Sequence, residues 1–251
     1  MDPRSQAQAE IERLWGSQGE RRRGPKSKLS ARQVARSAIE LADTDGLDAV
    51  SMRAVGGLVG LSAMGLYSYF PGKAELVELM VDEVYSELEL SYGSAREWRD
   101  RLKLIAETNW SLLMRHPWLD AVEGHRPVLG PNVIAKYDFE LQALDGLGLS
   151  DLHLDLILTT ILTQVRGAAA AKLDAISAAR RTGMSDPEWW ALREPLLASR
   201  LGEMHPLAQR VGGVVGAAYD APHDPDMSFR FALERIIDGI GSLVRQPHSC
   251  N

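Results

Sequence analysis

Two short apolar segments joined at a glycine, between Ser51 and Gly72, constrain this chain more than anything else in it. In "SMRAVGGLVG" the residues Met52, Val55, Leu58 and Val59 share one helical face. Gly60 then suits the left-handed position that ends such a helix. In "LSAMGLYSYFPG" Ser62 is placed to cap a new helix, and Pro71-Gly72 stops it. Leu66 and Phe70 lie four apart and are expected to pack inward with Val55 and Leu58.

The flanking sequence is also helical in pattern. Ser30 is a plausible N-cap for a helix striped by Val34, Ala35, Ala38, Ile39, Leu41 and Ala42, which Gly46 ends. A further helix starts near Lys73. Others are expected over about 95–116, 131–146, 150–181, after the "SDPE" capping box at Ser185, over 206–217, and over 227–245. Period-two alternation is scarce, so the predicted class is all-α, with an N-terminal three-helix domain and a larger helical domain after it. The expected boundaries are a flexible basic arm at 1–28, the first domain at 29–75 and the second at 76–246.

Composition narrows the function. The 251 residues carry a net charge of −6 and one cysteine, Cys250. That excludes an intramolecular disulfide and a cysteine-based zinc site. No secretory leader and no apolar run of membrane-spanning length are read in the sequence, so a cytoplasmic protein without a membrane partner is expected. The acidic total argues against a whole-surface nucleic-acid binder. "RRRGPKSK" (Arg21 to Lys28) is nonetheless a local positive cluster able to meet phosphates.

A short helix, a tight turn and a second short helix make a helix-turn-helix, which sets its second helix in the DNA major groove. The outward face of that helix carries Ala63, Met64, Tyr67 and Ser68, with Gly65 and Tyr69 beside them. Small residues permit close approach to base edges, and Ala63 or Met64 can touch a thymine methyl. The hydroxyls can bond phosphates or bases. Gly65 costs about 1 kcal/mol of helix stability relative to alanine, a loss that makes sense where a side chain would collide with DNA. Arg53 and Lys73 supply charge from the neighbouring helices.

The stretch from Leu29 to Val84 closely resembles the DNA-binding domain of the TetR-type transcriptional regulators. The resemblance rests on Asp45-Gly46, Ser51, Val59-Gly60-Leu61, Leu66-Tyr67, Phe70 and Lys73. It implies DNA contacts at Arg53, Ala63, Met64, Gly65, Tyr67, Ser68, Tyr69 and Lys73. The chain departs from the family at "AVGGLVG", where members have an alanine and longer polar residues, and the two glycines soften that helix. Later segments, "EWRDRL", "LLMRHPWL", "GHRP" and "FRFALERIIDGIGSLV", resemble the tetracycline-repressor type of C-terminal domain.

Together the resemblances imply an N-terminal three-helix helix-turn-helix DNA-binding domain plus a larger helical ligand-binding and dimerisation domain, acting as a homodimer on a pseudo-palindromic double-stranded DNA operator and released by a small-molecule effector. The apolar stripes Ile157, Ile161, Val165 and Phe229, Leu233, Ile236, Ile240 fit a four-helix interface between two copies. Candidate effector contacts are Ile105, Asn109, Trp110, Met114, His125, Arg126, Tyr137, Asp138 and Gln164. The magnesium-binding set of the tetracycline repressor has no convincing match, so tetracycline itself is not the expected effector, and no cofactor or metal is expected. An enzyme is disfavoured: no histidine follows a glutamate by three residues, and HExxH, P-loop and GxSxG patterns are missing from the sequence. A helical interaction module and a constitutive or corepressor-dependent DNA binder are the other readings.

Overall fold

A computed structural model describes residues 2–16, 29–122, 126–201 and 204–244. Among the described residues there are eleven α-helices, a few short 3-10 turns and no strand, which is the expected all-α class. By compactness the chain divides into Met1–Leu158 and Thr159–His248. The first unit holds α1 (Pro3–Trp15), α2 (Ala31–Asp45), α3 (Met52–Leu58), α4 (Ala63–Leu66), α5 (Lys73–Tyr85), α6 (Trp98–Arg115), α7 (Pro131–Gln142) and the start of α8 (Asp151–Thr182). The rest of α8, with α9 (Asp186–Leu201), α10 (Pro206–Tyr219) and α11 (Pro225–Val244), forms the second.

Local chemistry sets the early boundaries. Ser30 and Gln33 form a reciprocal capping box on α2, and Gly46 leaves the helix at φ +84°. The Oγ atoms of Ser51 and Ser62 accept from the backbone N–H of Ala54 and Gly65, at 3.1 and 3.0 Å, which starts α3 and α4. Gly60 sits at φ +71°, the left-handed position read from the sequence. Leu66 and Phe70 are both 0% exposed, and Val55 is equally buried.

Three sequence expectations need correction here. Leu58 is 59% exposed and Val59 only half-buried, whereas the α3 backbone at Gly56 packs closely on the start of the next helix. A Cβ on Gly56 would lie 2.9 Å from the Leu61 carbonyl oxygen. Only Ala63–Leu66 is α-helical in the second helix. The chain then runs through turns to Phe70, so the helix is shorter than its apolar spacing implied. The supposed flexible arm contains α1, whose Leu14 is buried. Trp15 Nε1–H donates to the Leu129 carbonyl at 2.7 Å, and Arg13 lies 3.5 Å from Glu78. Burial and nearby Glu10 raise the Glu78 pKa, with Arg13 acting against them. The basic cluster Arg21 to Lys28 lies outside the described residues.

α5 organises the first unit by packing on α1, α2 and α7. Its inner face is Leu76, Leu79, Met80 and Val84, together with two buried acids, Asp82 and Glu83. Glu83 accepts from Arg32 Nη1 and, at 2.7 Å, from Arg36 Nε. Because those arginines belong to α2, the helix-turn-helix is fastened to α5 and does not form a compact body of its own.

The stripes proposed for dimerisation are mostly core. Ile157, Ile161, Val165, Phe229, Leu233 and Ile240 are all buried within the single chain, and Ile236 is half-buried. The strongest apolar stripe on an amphipathic helix packs first onto its own chain, and here that leaves little of it for a second copy. Exposed apolar residues of α11 are Met227, Phe231 and Leu243, and those of α8 are Leu152 and Leu156. In the second unit Lys172 on α8 pairs with Asp226 on α11 at 2.6 Å, and Trp190 of α9 occupies the space beside Gly216 of α10.

The two glycines of α3 should behave oppositely. Gly56→Ala forces a Cβ against backbone and is expected to lower unfolding free energy by about 1–3 kcal/mol. Gly57→Ala enters open space and should raise it by up to about 1 kcal/mol through helix propensity. Urea denaturation of the two variants checks both signs.

Candidate functional site

The helix-turn-helix presents a nearly uncharged surface. Met64 is 81% exposed and Tyr67 50% exposed, while Ala63 and Gly65 are half-buried on the same short helix. Leu66 and Phe70 anchor this surface from below, so the exposed side chains stand on a fixed base. Arg53, on the first turn of α3, is exposed beside them. A Cβ on Gly65 would meet Ser62 Oγ at 3.5 Å and Leu61 Cβ at 3.7 Å, which is ordinary contact. Nothing inside the protein therefore requires glycine there.

Three of the proposed DNA contacts already have internal partners. Tyr69 is half-buried and its hydroxyl donates to the Leu29 carbonyl at 3.2 Å, so this ring braces the start of α2. Ser68 Oγ donates to the Gly65 carbonyl at 2.7 Å and keeps only acceptor capacity for DNA. Lys73 Nζ donates to the Leu47 carbonyl at 3.0 Å, with two N–H groups left to meet phosphate.

The first unit also holds a small cavity, outside the helix-turn-helix. It is lined by the segment Leu88 to Ser91, by Ile105, Thr108 and Asn109 of α6, and by Lys136, Phe139 and Glu140 of α7. Its free volume of about 20 Å³ is roughly that of one water. Three polar side chains in its wall are buried and bonded to one another. Lys136 Nζ donates to Glu140 Oε2 at 2.6 Å, and Asn109 Nδ2 donates to Glu140 Oε1 at 2.6 Å and to the Ile105 carbonyl at 2.9 Å. Tyr92, next in the chain after the lining segment, stacks on Phe139 at 4.3 Å and donates its hydroxyl to the Phe139 carbonyl. Burial raises the Tyr92 pKa.

Of the predicted effector contacts, Ile105 and Asn109 line this cavity. Trp110 and Met114 are half-buried elsewhere on α6. Arg126 and Asp138 are exposed, and Asp138 accepts from Gln142 Nε2 at 2.8 Å. Tyr137 also points outward and donates to Asp155 Oδ1 at 2.9 Å, a bond that raises its pKa. Outward positions on α7 cannot reach a cavity on its inner side. Gln164 is half-buried on the part of α8 that belongs to the second unit, and His125 lies outside the described residues. Lys136 and Glu140 were missed: a Lys–Glu pair four apart usually marks a solvated face, and no sequence signal says otherwise. The second unit has a larger open cavity, about 620 Å³, floored by Ala171, Ala175 and Ala178 and edged by Met184, Trp189 and His223.

His116 ends α6 between two acids. Its Nδ1 is 2.8 Å from Asp43 Oδ1 on α2, and its Nε2 is 3.1 Å from Glu87 Oε2. Trp118 Nε1–H donates to the same Asp43 oxygen at 2.8 Å. The C-terminal end of α6 is thus tied directly to the C-terminal end of α2.

Family models match both parts of this arrangement. The model described as "Bacterial regulatory proteins, tetR family" covers residues 34–80. The model described as "Tetracyclin repressor-like, C-terminal domain" covers residues 93–244, more than half of the chain. The chain belongs to the TetR family. Members of this family are non-enzymatic transcription regulators that bind DNA through the helix-turn-helix. Among curated relatives, the HTH-type transcriptional repressor DrrR1 of Streptomyces coeruleorubidus is 36% identical over 240 residues, 94% of this chain and 86% of the relative. Apo ActR from Streptomyces coelicolor shares the fold, with TM-score 0.68 and 22% identity over 87% of this chain and 99% of its own. ActR in complex with actinorhodin matches at TM-score 0.66 and 22% identity, covering 85% and 96%.

As a TetR-family head, the surface makes Gly65 decisive. Gly65→Ala should fold and melt no lower than the parent, since the protein has room for the methyl group. Its affinity for specific DNA should fall about tenfold or more, as one misplaced contact costs about 1–3 kcal/mol. Fluorescence anisotropy with a labelled duplex reads the loss.

Proposed function

We propose that this chain is a ligand-released repressor that binds a pseudo-palindromic operator as a homodimer. The observation carrying the reading is the exposed, nearly neutral face of Met64 and Tyr67 above the buried Leu66 and Phe70. Such a face is suited to base edges and methyl groups, with phosphate contacts supplied by Arg53 and Lys73 from its rim. Two copies related by a two-fold axis present two heads to two half-sites. DrrR1, the relative with the greatest identity given above, carries the name repressor. The protein acts in the cytoplasm, where its DNA is.

Self-association uses outward residues in place of the buried stripes. Phe231 on α11 is 64% exposed, and Met227, one turn earlier, is 45% exposed. Leaving both in water is unfavourable by roughly 25 cal/mol per Å² of apolar surface, which a second copy would relieve.

The effector anchors on Asn109, Glu140 and Lys136. These residues are buried and joined by directional hydrogen bonds, and Glu140 and Lys136 are ionisable, as suits a selective site. A ligand must open the cleft to enter, since the free volume takes only about one water. Whichever arrangement of the heads the ligand prefers becomes more populated, and release follows if that arrangement cannot fit DNA. ActR was solved with actinorhodin, and a TetR variant from Acinetobacter baumannii with minocycline, so fused-ring aromatic compounds are the first to try.

A duplex recovered by selection from a random library on the wild-type protein supplies the probe. Arg53→Ala and Tyr67→Ala should each weaken its binding by about 1–3 kcal/mol without unfolding the protein. Normal binding by both variants would overturn the contact assignment. Phe231→Glu should sediment as a monomer and lose the duplex, whereas a dimer would exclude the α11 surface. Actinorhodin should release the wild-type protein from the duplex and fail to release Glu140→Ala.

A further inference from the structure

Two adjacent carboxylates on α5 are withdrawn from water, Asp82 at 0% and Glu83 at 4% exposure. A buried carboxylate is costly unless it is paired and hydrogen-bonded, so the partners of each indicate its task. Glu83 is taken by Arg32 and Arg36 of α2, as described above. Asp82 faces the opposite way. Its Oδ1 accepts from the backbone N–H groups of Asn132 and Val133 at 2.9 and 3.2 Å, and its Oδ2 accepts from Asn132 Nδ2 at 3.0 Å.

Those donors are the first turn of α7. That helix has Gly130 at its N-cap and Pro131 next, and no side chain of its own caps it. Asp82 provides the missing cap from another helix, with its negative charge at the positive end of the helix dipole. The contact is tightly built: a Cβ on Gly130 would overlap the Asp82 carboxylate.

Arg32 is the remaining element. Its Nη2 lies 3.6 Å from Asp82 Oδ2, close enough for charge attraction but not for a hydrogen bond. The same Nη2 is buried and has no hydrogen-bond partner. A buried donor left unsatisfied is unfavourable by about 1–3 kcal/mol. So Asp82 holds α7 while a partner-poor guanidinium from the head waits within an ångström of bonding distance.

We propose that Asp82 is a positioning residue shared between α7 and the DNA-reading head. With α7 seated, the carboxylate caps it. With α7 withdrawn, the carboxylate closes on Arg32 Nη2 and draws α2 with it. Because α7 also carries Lys136 and Glu140, opening their cavity displaces the helix that Asp82 caps. The two arrangements exchange one set of hydrogen bonds for another, which is the discrete alternative that coupling between distant sites requires. This inference rests on the DNA-binding reading given above.

The test uses the full-length protein, the selected duplex and a random-sequence duplex of equal length. Gly130→Ala pushes Asp82 off α7. It should weaken binding to the selected duplex about tenfold and to the random duplex less than about twofold, a coupling of ordinary size. In an Arg32→Met background, Gly130→Ala should have no further effect on the selected duplex, since Arg32 is the route. Asn132→Ala, which removes one donor, replaces Gly130→Ala in the same cycle if the latter does not fold. An equal loss with and without Arg32→Met overturns the proposal, as does wild-type affinity in both α7 variants. Failure of wild-type protein to select any duplex would instead overturn the DNA-binding reading and remove the ground for this one.

Discussion

The buried acids of α5 are the constraint on which the first unit depends. Burying two adjacent carboxylates commits the surrounding helices to supply positive charge or oriented N–H groups, at fixed places and in fixed directions. Arg32 and Arg36 must come from α2, and the N-terminus of α7 must come from the other side. Hydrophobic packing of Leu76, Leu79 and Met80 would hold the same helices together with more tolerance for sliding. The polar contacts remove that tolerance, because a shift of an ångström breaks a hydrogen bond in a place water does not reach.

A second tie acts at the far end of α2. Asp43 is gripped by His116 and Trp118, so the C-terminal end of α6 and the head share a polar contact as well. The helix that supports the reading surface is therefore held near both of its ends by residues from outside the helix-turn-helix. Regulation through such a head works by changing which contacts are made, and the internal partners of Tyr69 and Lys73 show how much of its chemistry serves positioning.

What the sequence disclosed follows from how local each signal is. Caps at Ser30, Ser51, Ser62 and Ser185, the left-handed Gly60, and the inward pair Leu66 and Phe70 depend on residues within one or two turns, and they were legible. The all-α class followed from summed periodicity. Leu58 was misjudged because α3 ends at that residue, and periodicity alone does not say how far along a short helix its inward face continues. α1 was hidden because a single turn, "IERLW", is too little pattern, and its docking depends on the distant Leu129 carbonyl. The dimer stripes share this limit: periodicity identifies a buried face without saying which chain buries it. Lys136 and Glu140 show the limit most plainly, since only the third dimension separates a solvated ion pair from one enclosed in a protein.

The reading surface has its own consequence for how such a protein finds its site. Met64 and Tyr67 carry no charge, so seating them in a groove expels no condensed counterions. On the proposed contacts, whatever ionic-strength dependence the complex has belongs to Arg53, Lys73 and other cations around the rim. Attraction to DNA in general and choice among sequences are thus assigned to different side chains. With that division, a change in ionic strength would alter how long the protein dwells on any duplex far more than which duplex it prefers.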